Sequence, residues 1–214
     1  TTTKRKSGVL QMTWLKNVLD ISVDKLYEDW DYHKWCIEAG WMDGPIAYTN
    51  NWVSDNFKSG TEIADVACGN GQLGIGFSNR TANSLGYGNN EFVIDGYDIN
   101  SKMLDTFEAT NYRSTSLHDM NNKALPRKYK CITVIGAFNK SHINSGSAKM
   151  FAESLEDDGL LIASVSIVDK EDPLELMGWR TQEHLEIVSE ERIKSLITPD
   201  EGQKYHIMAI FKRK

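Results

Sequence analysis

The run Thr61-Glu62-Ile63-Ala64-Asp65-Val66-Ala67 leads straight into Cys68-Gly69-Asn70-Gly71, and Gln72 to Ser78 then read as a helix that contains Gly74. A Gly-x-Gly-x-x-Gly pattern carries meaning only when it leaves a strand and opens a helix, and this one does both. Glycines let backbone approach a ligand closely, and the exposed amides of a helix start suit a polar or anionic group. A strand, tight turn and helix in this order demand a parallel sheet with helices packed on it.

The rest of the chain keeps that rhythm. Phe92 to Asp98 reads as a second strand, and Ser101 is expected to cap a helix carrying Met103, Leu104 and Phe107. Tyr112 to Leu117 is a weaker third strand. Lys130 to Ile135 is a fourth, apolar throughout as a strand covered on both faces should be. Ala148 to Leu155 reads as a helix ending at Asp157-Asp158-Gly159, where Gly159 is expected to supply a left-handed turn. Leu160 to Val168, His184 to Val188 and Tyr205 to Phe211 complete seven strands, with a polar connector containing Pro199 and Gly202 between the last two. The fold class is therefore α/β: a Rossmann-like, seven-stranded, mostly parallel sheet with helices on both faces. Five of the six tryptophans (Trp14, Trp30, Trp35, Trp41 and Trp52) precede residue 59. Residues 1–58 are expected to form a helical, aromatic lid within the same domain as the core, residues 59–214.

Composition narrows the partners. A net charge of -6 argues against nucleic acid, because an acidic surface repels a phosphate backbone. The basic runs Lys4-Arg5-Lys6 and Lys212-Arg213-Lys214 read as solubilising ends. No run approaches the ~18 apolar residues of a membrane span, and no apolar region follows the basic N-terminal run as a secretory signal requires. Cys36, Cys68 and Cys131 are odd in number and lack Cys-x-x-Cys spacing, which fits a reducing cytoplasm. A monomer or a homodimer is expected.

Two acids sharpen the glycine loop. Asp65 lies four residues before Gly69, where a carboxylate can meet a ligand's ammonium group, whereas a dinucleotide needs close approach for its pyrophosphate. Asp98 ends the second strand and can accept both hydroxyls of a ribose. Ile99 follows it, and Asp119 and Met120 follow the third strand. Ala67, Cys68, Gly69, Asn70, Gly71 and Gly136 complete the expected cofactor contacts.

Asp65-Val66-Ala67-Cys68-Gly69-Asn70-Gly71, the Asp98 turn and Val134-Ile135-Gly136-Ala137-Phe138 together resemble class I S-adenosylmethionine-dependent methyltransferases. Within that class the chain is similar to the methyltransferase-like group that includes the Williams–Beuren syndrome region protein, over about residues 26 to 168. The resemblance implies an antiparallel last strand, S-adenosylmethionine as methyl donor with S-adenosylhomocysteine as product, and a small-molecule acceptor. It also implies that Ile99 packs on one adenine face and Asp119 bonds the adenine amino group, with Met120 over the opposite face, and that Tyr27 and Trp30 contact the cofactor, since Leu26-Tyr27-Glu28-Asp29-Trp30 is similar to the group's Tyr-Asp-x-Trp segment. Lys34-Trp35 departs from a second Tyr-Asp pair, and Gly40-Trp41-Met42-Asp43-Gly44-Pro45 resembles a Gly-Tyr-x-x-Pro region loosely.

The acceptor is expected beyond the carboxyl ends of the fourth and fifth strands. Ala137, Phe138 and Asn139, with Trp35 and Trp41 from the lid, are the expected substrate contacts. His142 is the candidate catalytic residue, a general base near neutral pH. Aromatic faces attract cations, which favours a nitrogen acceptor. No His, Asp or Glu cluster has metal spacing, so no metal is expected. Two other readings are a non-catalytic module that binds S-adenosylmethionine and another reaction of the same cofactor, such as a lyase.

Overall fold

A computed structural model describes residues 40, 42–83, 92–107, 109, 111–139, 142–167, 172–198 and 202–214. Seven strands form one sheet in the order β3-β2-β1-β4-β5-β7-β6: β1 Glu62–Val66, β2 Val93–Asp98, β3 Tyr112–Leu117, β4 Tyr129–Val134, β5 Leu155–Ile167, β6 Leu185–Thr198 and β7 Gly202–Arg213. β1 to β5 run parallel, and β7 lies antiparallel between β5 and β6. The order reverses direction between β1 and β4, which opens the crevice where ligands of such sheets bind.

Period-two alternation sends side chains to two separate cores. Ala64, Val66, Ile132, Val134, Leu161 and Phe211 share one core with Phe151 and Trp179. Ile63, Ile94, Cys131, Ile162 and Met208 face the other, with Val53, Leu73 and Phe77. The helices covering the sheet are α1 (Asp43–Asn56), α2 (Gln72–Asn83), α3 (Ser101–Asp105), α4 (Ala148–Ser154) and α5 (Pro173–Leu176). Burial on both faces explains why β4 shows no polar alternation from Cys131 to Val134, where Thr133 is buried and bonded to Asp65. α1 sits tightly on β6, because a methyl group at Gly44 would run into the Lys194 carbonyl.

Several local expectations change. The cap of α3 is Asn100, whose Oδ1 accepts from Lys102 N at 2.9 Å, and Ser101 is the first helical residue. Asn100 wins because it is the residue held extended at the strand end, as a capping residue must be. Gly159 supplies no left-handed turn. α4 ends at Ser154, the chain goes directly into β5, and a methyl group at Gly159 would lie 2.8 Å from the Tyr129 carbonyl. Close approach to β4 is what requires glycine there. The last two strands are far longer than the apolar runs suggested, and Gly202 begins β7 rather than belonging to a connector. The run Lys212-Arg213-Lys214 closes that strand, with Lys212 paired to Glu186 at 2.8 Å and Arg213 to Asp157 at 2.5 Å. Among the described residues no helix is long and apolar enough to cross a membrane.

Candidate functional site

β1 ends at Val66 and the chain turns sharply under backbone control. Gly69 and Gly71 take φ of 54° and 91°, and Ala67 takes 57°, the only non-glycine described residue at positive φ. A left-handed alanine costs on the order of 1–2 kcal/mol, and such strain collects where a site needs one shape. Cys68 N donates to the Tyr97 carbonyl at 3.1 Å, which pins the turn to β2, and Ile75 N donates to the Gly71 carbonyl at 3.1 Å as α2 begins.

The two acids flank this turn. Asp98 Oδ2 accepts from Gly69 N at 2.8 Å and its Oδ1 from Asn100 N at 2.8 Å, so one carboxylate ties the glycine loop to the end of β2. The Ile99 backbone N–H also bears on this carboxylate, which keeps lone-pair capacity for a ligand hydroxyl. Asp65 is 3% exposed. Its Oδ1 accepts from Thr133 Oγ1 at 2.9 Å and its Oδ2 from Tyr112 OH at 2.5 Å. Burial raises both acids from the ordinary aspartate value, Asp65 to about 6 against the pull of its hydroxyl bonds and Asp98 against that of its backbone N–H bonds.

A cavity of about 240 Å³ opens above the turn. Asp65, Ala67, Cys68, Gly69, Asn70, Asp98, Ile99, Asp119, Met120, Gly136, Ala137 and His142 all line it, which brings together residues up to 77 positions apart. Gly71 shapes the loop without lining the cavity: a methyl group there would meet Phe107 Cζ at 2.8 Å. Asp119 is partly engaged, accepting from Asn121 N at 3.0 Å and from Asn122 Nδ2 at 2.5 Å. Gly136, at φ 84°, faces Met42, whose Cε would lie 2.8 Å from an added methyl group.

Phe138 does not line the cavity. It is buried in the core and stacks on Trp179, with centroids 3.9 Å apart and planes at 6°. The short bridge from Phe138 to Ile143 turns the chain so that residue 138 points into the sheet's apolar face. Asn139 also lies outside the lining and instead holds His142. Tyr27, Trp30, Trp35 and Trp41 fall outside the described residues.

His142 has a defined tautomer. Asn139 Oδ1 accepts from the His142 backbone N–H at 2.9 Å, which identifies that atom as oxygen, and the His142 Nδ1 lies 2.9 Å from the same atom. Nδ1 therefore carries the proton and Nε2 the lone pair. Burial lowers the ring's pKa to about 4, so His142 is a weaker base than one poised near neutrality. In an NMR titration the His142 ring is expected to change protonation near pH 4. A midpoint near 6.5 would remove the argument from burial.

Met42, Ile46, Gln72, Leu73, Met103, Asn121, Ile135 and Ile143 also line the cavity and were not singled out by sequence. Asn121 donates through Nδ2 to the His142 carbonyl at 2.5 Å and accepts from Asn144 N at 3.3 Å, joining two loops. None of these residues carries a local signal beyond sitting at a strand end or helix start. Three carboxylates (Asp65, Asp98 and Asp119) line the cavity, and no described lining residue is Lys or Arg. Among the described residues no group of three or more His, Cys, Asp or Glu is placed to hold a metal ion.

No protein-family model matches the sequence, and no curated protein does. Solved structures match over most of the chain. The magnesium protoporphyrin IX methyltransferase of Synechocystis PCC 6803, with bound S-adenosylmethionine, is 13% identical with a TM-score of 0.56, covering 96% of this chain and 99% of its own. The fold is that of class I methyltransferases. A TehB-like methyltransferase of Corynebacterium glutamicum is 16% identical with a TM-score of 0.54, over 77% of this chain and 86% of its own. A Thiobacillus denitrificans methyltransferase in complex with S-adenosylhomocysteine is 10% identical with a TM-score of 0.54, over 79% and 90%.

Proposed function

We propose that this chain is an S-adenosylmethionine-dependent methyltransferase that acts on a small-molecule acceptor. The observation that carries the reading is the charge of the cavity: among the described residues that line it, three are carboxylates and none is Lys or Arg, around a glycine turn in a methyltransferase fold. A dinucleotide brings a pyrophosphate, which three carboxylates would repel. S-adenosylmethionine brings a sulfonium and an ammonium against one carboxylate, a net cation that this cavity suits. We assign Asp98 to the ribose hydroxyls, Ile99 and Met120 to the adenine faces, Asp119 to the adenine amino group and Asp65 to the ammonium; all five line the cavity.

When bound, the cofactor supplies an activated methyl group that an acceptor lone pair takes in line as the carbon–sulfur bond breaks. The protein's part is alignment and exclusion of water. Gly136 and Ala137 keep the wall low where the methyl group must pass. His142, with its basicity depressed by burial, is a poor store for a proton. That property supports an acceptor that already presents a lone pair at neutral pH, such as a heteroaromatic nitrogen, over one that must lose a proton first. The aromatic segment before residue 59 supports the same preference through the affinity of aromatic faces for the positive charge that such a nitrogen gains as it is methylated. The small-molecule class is supported by the Synechocystis protein, whose acceptor is a magnesium porphyrin. Within the methyltransferases we favour the group named above on its N-terminal motifs, with residues 1–58 as the lid.

The test is binding followed by turnover. Calorimetry with S-adenosylhomocysteine should show a single site, and a panel of amines, heteroaromatic nitrogens, thiols, phenols and carboxylic acids is then assayed with labelled donor. Transfer only to oxygen or sulfur overturns the nitrogen preference. Tight binding with no transfer favours a non-catalytic module, and products from donor alone favour a lyase.

A further inference from the structure

Asp65 sits in a row of three register partners, Gly96 on β2, Asp65 on β1 and Thr133 on β4. Thr133 reaches one carboxylate oxygen from its own place in the row. The other oxygen is reached from two strands away. Tyr112 begins β3, opposite Ile94, and its ring crosses the spot where a side chain at position 96 would stand. A methyl group at Gly96 would lie 3.1 Å from Tyr112 Cδ1, and one at Gly74 would run into the same ring from the helix side. Two glycines, one in the sheet and one in α2, thus leave a slot for a tyrosine to pass beneath the glycine loop. Phe107 closes the slot edge-on, 4.8 Å from the Tyr112 ring, while also packing under Gly71.

We propose that Tyr112 is a positioning residue of the cofactor site, holding the Asp65 carboxylate in the orientation and charge state that receive the ammonium group of S-adenosylmethionine. The inference rests on the cofactor reading above. Its physical basis is a fixed donor. Burial and the neighbouring Asp65 charge keep the Tyr112 hydroxyl protonated far above its ordinary range, so it gives a hydrogen bond at every working pH. With Thr133 on the other oxygen, the carboxylate cannot rotate, and each oxygen still has a lone pair for the ligand. The groups bearing on Asp65 are Tyr112 from β3, Asp98 from β2, the loop thiol of Cys68 and the β4 thiol of Cys131; both thiols are driven upward by burial and stay neutral. Of these, only Tyr112 donates to Asp65 Oδ2.

The sign of the pH effect follows. Asp65 titrates at about 6, so affinity for a cationic amine rises as pH passes upward through 6 and levels above it. Removing the Tyr112 hydroxyl withdraws a bond that favours the charged form, so that rise should move to higher pH.

Tyr112→Phe keeps the ring and its slot. Calorimetry on wild type and Tyr112→Phe compares S-adenosylhomocysteine with methylthioadenosine, which keeps the adenosyl thioether but lacks the amino-acid end. The expected result is about a tenfold loss for S-adenosylhomocysteine, the value of one bond to a charged group, with methylthioadenosine changed less than about twofold. The readout is the ratio of two affinities on one sample, so a modest fall in Tm does not obscure it. In an Asp65→Asn background Tyr112→Phe should add nothing. An equal loss for both ligands, no loss for either, or full additivity with Asp65→Asn overturns the assignment. A wild-type chain that binds neither ligand overturns the cofactor reading itself.

Discussion

Asp98→Ala is expected to weaken S-adenosylmethionine binding by about 100-fold while leaving the Tm at pH 7 unchanged or slightly higher. Two ribose hydroxyls would lose a charged acceptor, and bonds to charged groups contribute roughly 1.5–3 kcal/mol each. Together that is on the order of 3 kcal/mol or more, hence about two decades in Kd. The same change frees Gly69 N, which now donates to Asp98 Oδ2, so the loop would lose one tie to β2 while keeping the bond from Cys68 N to the Tyr97 carbonyl. Stability should not follow affinity downward. Burial raises the Asp98 pKa despite its bonds from Asn100 and Gly69, which means that the ionised carboxylate is held at a cost to the folded state. A group kept charged against its surroundings belongs to function rather than to folding. Asp98→Asn should behave similarly, because its amide nitrogen would face one of the two backbone donors, Gly69 N or Asn100 N, that the carboxylate now accepts from. Calorimetry and a thermal melt on the same samples check both halves. Affinity within threefold of wild type would remove Asp98 from the ribose.

What the sequence disclosed was the chemistry compressed into neighbouring positions. Asp65, the glycine turn and Asp98 with Ile99 each sit at the end of a strand or the start of a helix, so strand periodicity alone places them together. Contacts made across the sheet left no such trace. Tyr112 is 47 residues from Asp65, and its slot depends on Gly74 and Gly96, which separately look like an ordinary third glycine and an ordinary strand glycine. Phe138 was expected at the acceptor because it follows Gly136-Ala137. The bridge to Ile143 turns it into the core instead, where its stacking partner Trp179 lies in a segment with no apolar periodicity. β6 was read short for the opposite reason. It is the edge of the sheet, and Glu190-Glu191-Arg192 and Lys194 give its outer half a polar pattern that resembles a loop. Burial sets these assignments, and burial is a property of the assembled sheet.

Asp95→Ala is expected to lower unfolding free energy by about 2–3 kcal/mol with no change in cofactor affinity beyond twofold. Asp95 is in the middle of β2 and fully buried, yet it collects donors from three directions. Arg113 bonds both its oxygens, at 3.0 and 2.5 Å, Arg127 adds one at 2.8 Å, and Ser114 and Tyr129 add hydroxyls at 2.7 and 2.8 Å. Burial alone would raise its pKa, but the bonds from Arg113, Ser114 and Tyr129 outweigh it and hold the group down to about 2. Breaking a buried pair by removing one partner typically costs ~3–5 kcal/mol. The lower figure applies here because the Arg113 and Arg127 side chains are 36% and 44% exposed and water would take over part of their solvation. Tyr129 also keeps a partner, the Tyr97 hydroxyl at 2.6 Å. The sign of the pH dependence is that of a depressed acid: the contribution is whole above about pH 4 and is lost as pH falls towards 2. Asp95→Asn, which keeps shape and loses charge, should fall between wild type and Asp95→Ala. Urea unfolding at pH 7 and again at pH 3 measures it. A gap between wild type and Asp95→Ala that does not narrow at the lower pH would show that packing, rather than the carboxylate's charge, ties β2 to β3 and β4 at this end of the sheet.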